Sequence, residues 1–508
     1  MTSLPKRPIE IMDTTLRDGE QTSGVAFSAA EKLAIAQFLL TEVKIDRIEI
    51  ASARVSEGEF RAVKKITDWA AAHDCLSRVE VLGFLDGDVS IAWMKKTGAK
   101  VLNLLTKGSL NHLTHQLKKT PEAHFADIAA TIALARANNI ACNIYLEDWS
   151  NGMRHSRDYV FRYLDFLQGQ EIKRIMLPDT LGVLLPHETY AFIGEILVRY
   201  PNTHFDFHAH NDYDLATANV LQAVRAGVHG LHLTVNGMGE RAGNAPLASV
   251  IAVLHDHVAE VTTAIAEETL YSASKLIESF SGFRISDNQP IVGENVFTQT
   301  AGIHADGDKK NNLYFNDLMP ERFGRTRQYA LGKTSGKANI ENNLHALGIE
   351  LSDSDLKKVT QRVIELGDRK EFVTQADLPY IISDILDNEL APDKIRIDNY
   401  VLTHSKDLRP SVTLKISIEG ESLEEHAQGD GQYDAFMNAL KIIYDKKNLV
   451  LPQLTGYLVR IPPGGKSDAL CETIITWMHH EKQFKTRGLD SDQTVAAIKA
   501  TQKMLNLI

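Results

Sequence analysis

Four short segments carry residues that could share one metal ion. They are Arg17-Asp18 in DTTLRDGEQ, Glu147 in IYLEDWSNG, His208-Ala209-His210 in FDFHAHNDYD and Asn244 in NGMGERAGN. Two neutral imidazoles with a carboxylate suit zinc or a divalent first-row cation. An arginine beside them could stabilise a developing oxyanion, and a glutamate could orient a substrate or move a proton. Side chains alternate along a strand, so His208 and His210 share one face while Phe205 and Phe207 take the other. The same alternation pairs Glu147 with Tyr145 and turns Asp148 away.

Each segment also has a bland reading. A lone His-x-His is a polar strand end, Arg17-Asp18 a surface ion pair worth little, and Glu147 a carboxylate held by a neighbouring arginine. Convergence of several strand ends is what favours chemistry. Asp13 and Glu20 are expected to hold Arg17 and its loop in place. Thr180, in LPDTLG, could donate a hydroxyl hydrogen bond to a carboxylate or belong to a Pro-Asp turn, and residue types weigh these evenly. In GIHADGDKKNNLY, His304 and Asp306 could form a base with its orienter, with Tyr314 nearby. By composition alone that segment reads as a solvated loop. The glycines of NGMGERAGN suggest a phosphate cradle but lack the dinucleotide-binding spacing.

The elements that must position these residues follow from periodicity. Eight strand-like runs, at residues 9–13, 47–52, 79–84, 101–106, 143–148, 174–180, 204–211 and 230–236, alternate with helical patterns. The first helix opens with a capping-box spacing, Ser28 to Glu31. Eight β/α units in about 250 residues match a (β/α)8 barrel, which gathers strand ends into one mouth. A doubly wound open sheet is the alternative. The candidate residues end strands one, five, seven and eight. We therefore expect an α/β chain with a barrel over residues 1–265, a linker or lid over 266–337, a helical subdomain over 338–392 and an α+β domain over 393–508. In the last part, GDGQYDAFMNALKIIY and GGKSDALCETIITWM read as a weak repeat, each with a helix after Asp-Ala, capped by Asp434 and Asp468.

Bulk numbers fit an ordinary soluble globular protein. The 508 residues are 44% apolar and 24% charged, with net charge −11, which excludes an electrostatic nucleic-acid binder. Three cysteines, at 75, 142 and 471, form no Cys-x-x-Cys pair, so neither disulfides nor a cysteine zinc site is expected. No apolar signal core precedes the first strand and no run approaches a membrane span, so a cytoplasmic location is expected.

Taken together, DTTLRDGEQ, HAHND and NGMGERAGN resemble the DRE-type metal-dependent Claisen-condensing barrels, the isopropylmalate, citramalate and homocitrate synthases, with hydroxymethylglutaryl-CoA lyase as a relative. The resemblance spans the whole chain and implies condensation of acetyl-CoA with an α-keto acid followed by thioester hydrolysis. It implies metal ligation (Mg2+, Mn2+ or Zn2+) by Asp18, His208 and His210, with Asn244 as a weaker fourth. Arg17 matches the residue that stabilises the alkoxide, Thr180 the one that holds the keto acid's carboxylate, and Glu147 one that organises substrate or enolate. His304, Asp306 and Tyr314 match linker residues that a partner subunit brings over the mouth, which implies a homodimer. The last domain is similar to the module that binds an end-product amino acid, with its groove around Gly431–Asp434 and Gly465–Asp468. Within the family, VEVLGFLDG, VLNLLTKGS and IYLEDWSNG are most similar to the bacterial citramalate branch. There, positions matching Leu82, Leu105 and Tyr145 form a small pocket for the methyl of pyruvate. The isopropylmalate branch, using 2-oxoisovalerate, is the alternative. A homocitrate synthase, an acyl-CoA lyase and a non-catalytic amino-acid sensor are further rivals.

Overall fold

A computed structural model describes residues 6–309, 313, 315–368, 373, 375–379, 381–382, 395–460, 471–479 and 482–507. The chain divides into two compact units. The first comprises Met1–Phe297 and Asn316–Thr326, the second Thr298–Phe315 and Arg327–Ile508.

The first unit is built on a closed barrel of eight parallel strands. These are β1 (Glu10–Asp13), β2 (Arg47–Ser52), β3 (Val79–Gly83), β4 (Val101–Lys107), β5 (Ala141–Glu147), β6 (Ile175–Asp179), β7 (Phe205–Ala209) and β8 (Gly230–Leu233). Pairing of β1 with β8, from Glu10 opposite Gly230 to Asp13 opposite Leu233, closes the ring. Aliphatic residues such as Ile48, Ile50, Val81, Leu102, Leu104, Ile144 and Leu177 point outward and form the core with the helices. Phe205 and Phe207 join them, as the alternation requires. The first helix, Ala29–Thr41, begins with the expected capping box, in which Ser28 and Glu31 satisfy each other's backbone N–H groups.

The inward positions are not aliphatic layers. They hold a small apolar cluster of Met12, Leu82, Tyr145 and Met176, with Leu105 against it. Beside it runs a ladder of buried polar groups: Arg47, Glu49, Glu80, Asn103, Asn143, Asp206 and His232. Buried charges survive only when paired and hydrogen-bonded, and here they are. Arg47 donates to Glu80 Oε1 at 3.1 Å and to Asp206 Oδ2 at 2.6 Å.

In the second unit, residues 302–309 form the helix Gly302–Lys309 where composition suggested a loop. Helices Lys337–Ala346 and Asp353–Asp368 pack through Ile340, Leu344, Leu356, Val359 and Val363. Two three-stranded antiparallel sheets follow, each with a helix after it. The first has β9 (Ile395–Thr403), β10 (Ser411–Ile418) and β11 (Glu421–Gln428), then helix Gln432–Lys446. The second has β12 (Gln453–Arg460), β13 (Cys471–His479) and β14 (Lys482–Asp490), then helix Gln493–Leu505. The repeat exists, but its register differs from the sequence reading. The segment after Asp-Ala in the second copy is strand β13, whose alternating burial at Cys471, Thr473, Ile475 and Trp477 is that of a sheet with one covered face. Its helix begins later, capped by Asp492, whose carboxylate accepts from Thr494 and Val495. Asp434 is not a cap either. Gly431 takes that place, and Asp434 reaches back one turn to accept from the Asp430 N–H at 2.8 Å. Among the described residues no helix is long and apolar enough to cross a membrane.

Candidate active site

The loop after β1 is pinned before it offers any chemistry. Asp13 accepts from both the backbone N–H and the hydroxyl of Thr15, at 2.9 and 3.0 Å. The fully buried Lys32 pairs with Glu20 and Glu59 at 2.6 and 2.7 Å and donates to the carbonyl of Leu16 at 3.1 Å. Asp13 and Glu20 therefore hold the loop as expected, but neither holds Arg17. Glu49 does, accepting from Arg17 Nε at 2.5 Å. Sequence reasoning missed Glu49 because it sits inside the apolar run of β2.

Asp18, His208 and His210 come together at the mouth, with one donor atom from each lying within 4.8 Å of the others. His208 Nε2 is 3.2 Å and His210 Nε2 3.8 Å from Asp18 Oδ2. All three residues are buried. Burial pushes the Asp18 carboxyl up, but Arg17, His208 and His210 outweigh it and hold the group well below the usual carboxylate range. Burial lowers both imidazoles, His210 to about 4, so near neutral pH they carry free lone pairs. Arg17 Nη1 lies 3.4 Å from Asp18 Oδ2, yet with both imidazoles neutral this leaves the buried carboxylate and its two neighbouring nitrogens short of donors. A buried acceptor cluster left unsatisfied is costly unless something cationic completes it.

Asn244 neighbours His210 along the backbone. It pairs with His210 across an isolated bridge, and its amide N–H donates to the Met238 carbonyl at 3.0 Å, leaving Oδ1 buried and unpartnered. Two glycines permit this packing. A Cβ on Gly243, whose φ is +82°, would lie 2.0 Å from the Gly237 carbonyl oxygen, and one on Gly239 would lie 2.2 Å from Asn244 Nδ2. Neither position accommodates a side chain. Two imidazoles, one carboxylate and one amide oxygen fit a divalent cation.

The rest of the mouth is polar. Glu147 faces inward and pairs with Lys107, its register neighbour on β4, rather than with an arginine. Asp148 stands just past the strand in a left-handed conformation, with φ +64°, so backbone geometry rather than strand alternation sets its direction, and it accepts from the Ser109 hydroxyl at 2.6 Å. The Thr180 hydroxyl oxygen accepts from the Asp148 N–H at 2.9 Å, which leaves its proton to donate. Asp179 makes the adjoining turn, accepting from Val183 and Leu184 at 3.0 Å. The turn reading of LPDTLG thus holds at Asp179. Leu82, Leu105 and Tyr145 lie together in the inner apolar cluster, and the Tyr145 ring stands edge-on to His208 with centroids 6.3 Å apart. The Tyr145 hydroxyl is 3.5 Å from Arg17 Nη2.

His304 and Asp306 are half-buried on helix Gly302–Lys309 of the second unit, and Tyr314 lies outside the described residues. Gly431 and Asp434 start the helix after β11, while Gly465 and Asp468 lie outside the described residues.

Three family profiles cover most of the chain. Residues 8–277 match the HMGL-like family, residues 291–371 the homocitrate synthase post-HMGL domain and residues 372–508 the LeuA allosteric (dimerisation) domain. The chain is 34% identical to the putative (R)-citramalate synthase CimA of Methanopyrus kandleri, over 86% of this chain and 84% of the relative. It is 32% identical to the (R)-citramalate synthase CimA of Methanocaldococcus jannaschii, over 98% of this chain and 99% of the relative. It is also 32% identical to the 2-isopropylmalate synthase of Methylorubrum populi, over 99% and 96%.

Proposed function

The chain belongs to the HMGL-like family of DRE-type metal-dependent barrels, and on that premise we propose that it joins acetyl-CoA to pyruvate, giving citramalate with release of free CoA. The observation that carries the choice of substrate is the inner cluster, which brings Leu82, Leu105 and Tyr145 together as an apolar surface suited to a methyl group.

In this reading Asp18, His208 and His210 hold the divalent cation, with Asn244 as a weaker fourth. The metal, when bound, supplies Lewis-acid polarisation of the keto group. Arg17 donates to the oxygen that becomes an alkoxide when the acetyl carbon attacks, and its anchoring by Glu49 means the guanidinium need not reorganise at that moment. Thr180 donates its free hydroxyl proton to the keto acid's carboxylate. Glu147, with Lys107 beside it, orients the substrate from the opposite rim. A base takes a proton from the acetyl methyl. His304, oriented by Asp306 and accompanied by Tyr314, is proposed for this part of the site, supplied by a second copy of the chain. Water then cleaves the thioester and makes the condensation irreversible.

The LeuA-type match supports a homodimer with feedback control by an end-product amino acid, bound near Gly431–Asp434 in a domain taken as residues 393–508. Such a module suits a committed biosynthetic step better than a lyase. Condensation with 2-oxoisovalerate is the second reading, favoured by the full-length similarity to a 2-isopropylmalate synthase.

A thiol-release assay with acetyl-CoA and Mn2+, comparing pyruvate, 2-oxobutyrate and 2-oxoisovalerate at equal concentration, tests the proposal. Pyruvate should give the highest kcat/KM. A preference for 2-oxoisovalerate selects the second reading, and no thiol release with any of the three removes both.

A further inference from the structure

The polar groups inside the barrel form a closed circuit. Arg17 donates to Glu49, which accepts from Asn103 at 2.8 Å. Asn143 donates to Asn103 at 2.9 Å and to Glu80 at 3.3 Å. Glu80 and Asp206 both accept from Arg47. His232 Nε2 lies 3.1 Å from Asp206 Oδ2, and its Nδ1 lies 2.8 Å from the Tyr145 hydroxyl. Tyr145 closes the circuit at 3.5 Å from Arg17.

The direction of each bond around His232 follows from chemistry. An ionised Asp206 carboxylate only accepts, so Nε2 of His232 must donate to it, which leaves Nδ1 as a bare acceptor. The Tyr145 O–H therefore donates to His232, and its lone pairs turn toward Arg17. Arg47, buried beside Asp206, keeps that carboxylate ionised and in place. The phenol ring stands edge-on to His232, with centroids 5.4 Å apart, and wholly within the apolar cluster of Met12, Leu82 and Met176.

We infer that His232, backed by Asp206, is a positioning residue that fixes the Tyr145 ring as a rigid wall and so sets the largest keto acid the barrel admits. The inference rests on the reaction proposed above. An apolar wall alone discriminates weakly, because a ring that can rotate about two torsions yields to an extra methyl. Anchoring the hydroxyl from behind removes that freedom. His232 also stands edge-on to His208, with centroids 5.7 Å apart, but the hydrogen bond it makes toward the apolar cluster is to Tyr145. It acts through Tyr145.

The test compares Tyr145→Phe, His232→Ala, His232→Gln and the double variant Tyr145→Phe/His232→Ala, with full-length enzyme, saturating acetyl-CoA and Mn2+. Each of the first two should raise the kcat/KM ratio of 2-oxobutyrate over pyruvate by about tenfold, the order one buried hydrogen bond is worth. Most of the change should appear as a higher KM for pyruvate. The double variant should do no more than either single one, and His232→Gln, which keeps an acceptor, should recover most of the ratio. An unchanged ratio with a uniform fall in kcat would overturn the inference and leave His232 a structural residue. If His232→Ala does not fold, Tyr145→Phe carries the test, since it deletes the bond and keeps the ring. Wild-type enzyme that turns over no keto acid would refute the reaction instead. Calorimetric binding of pyruvate and 2-oxobutyrate would then read the wall directly, and no binding of either would remove both proposals.

Discussion

Replacing Asp18 by Asn tests the metal site without relying on turnover. The side chain keeps its size but loses the charge that, with His208 and His210, forms the acceptor cluster within 4.8 Å. A ligand that binds only the folded state stabilises it by RT ln(1 + [L]/Kd), or about 2.7 kcal/mol at a concentration of 100 Kd. For a barrel of this size that is a rise in Tm of roughly 5–10 °C. Loss of the only anionic ligand should weaken binding by about 100-fold or more, since even the groups that support ligands are worth 10–100-fold. At the same Mn2+ concentration the gain then falls to about 0.4 kcal/mol, a shift of about 1–2 °C. The assay is differential scanning fluorimetry of wild-type and Asp18→Asn protein, each with EDTA and with Mn2+. Retention of the full Mn2+-induced shift by the variant would refute convergence of these three side chains on one cation.

Three further outcomes follow from the buried groups. Leu82→Ala widens the inner cluster and should raise kcat/KM for 2-oxoisovalerate relative to pyruvate by roughly 15-fold, from about 0.8 kcal/mol for each of the two extra carbons, read by thiol release. Arg47→Met leaves Asp206 and Glu80 buried without their cation, and should cost about 3–5 kcal/mol in urea unfolding, partly restored by adding Asp206→Asn. His124 is buried with its Nε2 accepting from the Lys107 N–H, and burial depresses it to about 4. The unfolded chain, titrating near 6.5, then binds more protons than the folded one between these values. Stability should therefore fall as pH drops from about 6.5 to 4, by about 3 kcal/mol in all, and His124→Gln should flatten that limb in pH-dependent denaturation.

The barrel was legible because its signals are local. Strand runs, the Ser28 capping box and strand-end polar residues are each set by period and residue type within a few positions. The pairing of His208 with His210 follows from alternation alone. The misreading of the second repeat has a tertiary cause. In the second repeat an Asp-Ala dipeptide suggested a helix start, yet a neighbouring strand claims that segment through the ladder of β12, β13 and β14. Helix propensity is a weak prior against such pairing.

What closure of the barrel decided is the company each inward residue keeps. Glu49, Glu80, Asn103, Asn143, Asp206 and His232 are each a single polar residue flanked by apolar ones, in RIEIAS, VEVLG, VLNLL, CNIYL, FDFHA and LHLTV. That recurrence announces a polar interior, and it is visible in one sequence. Which of these residues bonds to which is not. Residues such as Arg47 and Asp206 are 159 positions apart and meet only because eight strands curl until the first pairs with the last. Sequence thus determined the strands, their polar faces and the ligand types, since these depend on short-range geometry. Only the tertiary structure decided that Glu49 holds Arg17, that Lys107 holds Glu147 and that His232 holds Tyr145, because electrostatic and hydrogen-bond partners are chosen by distance in space.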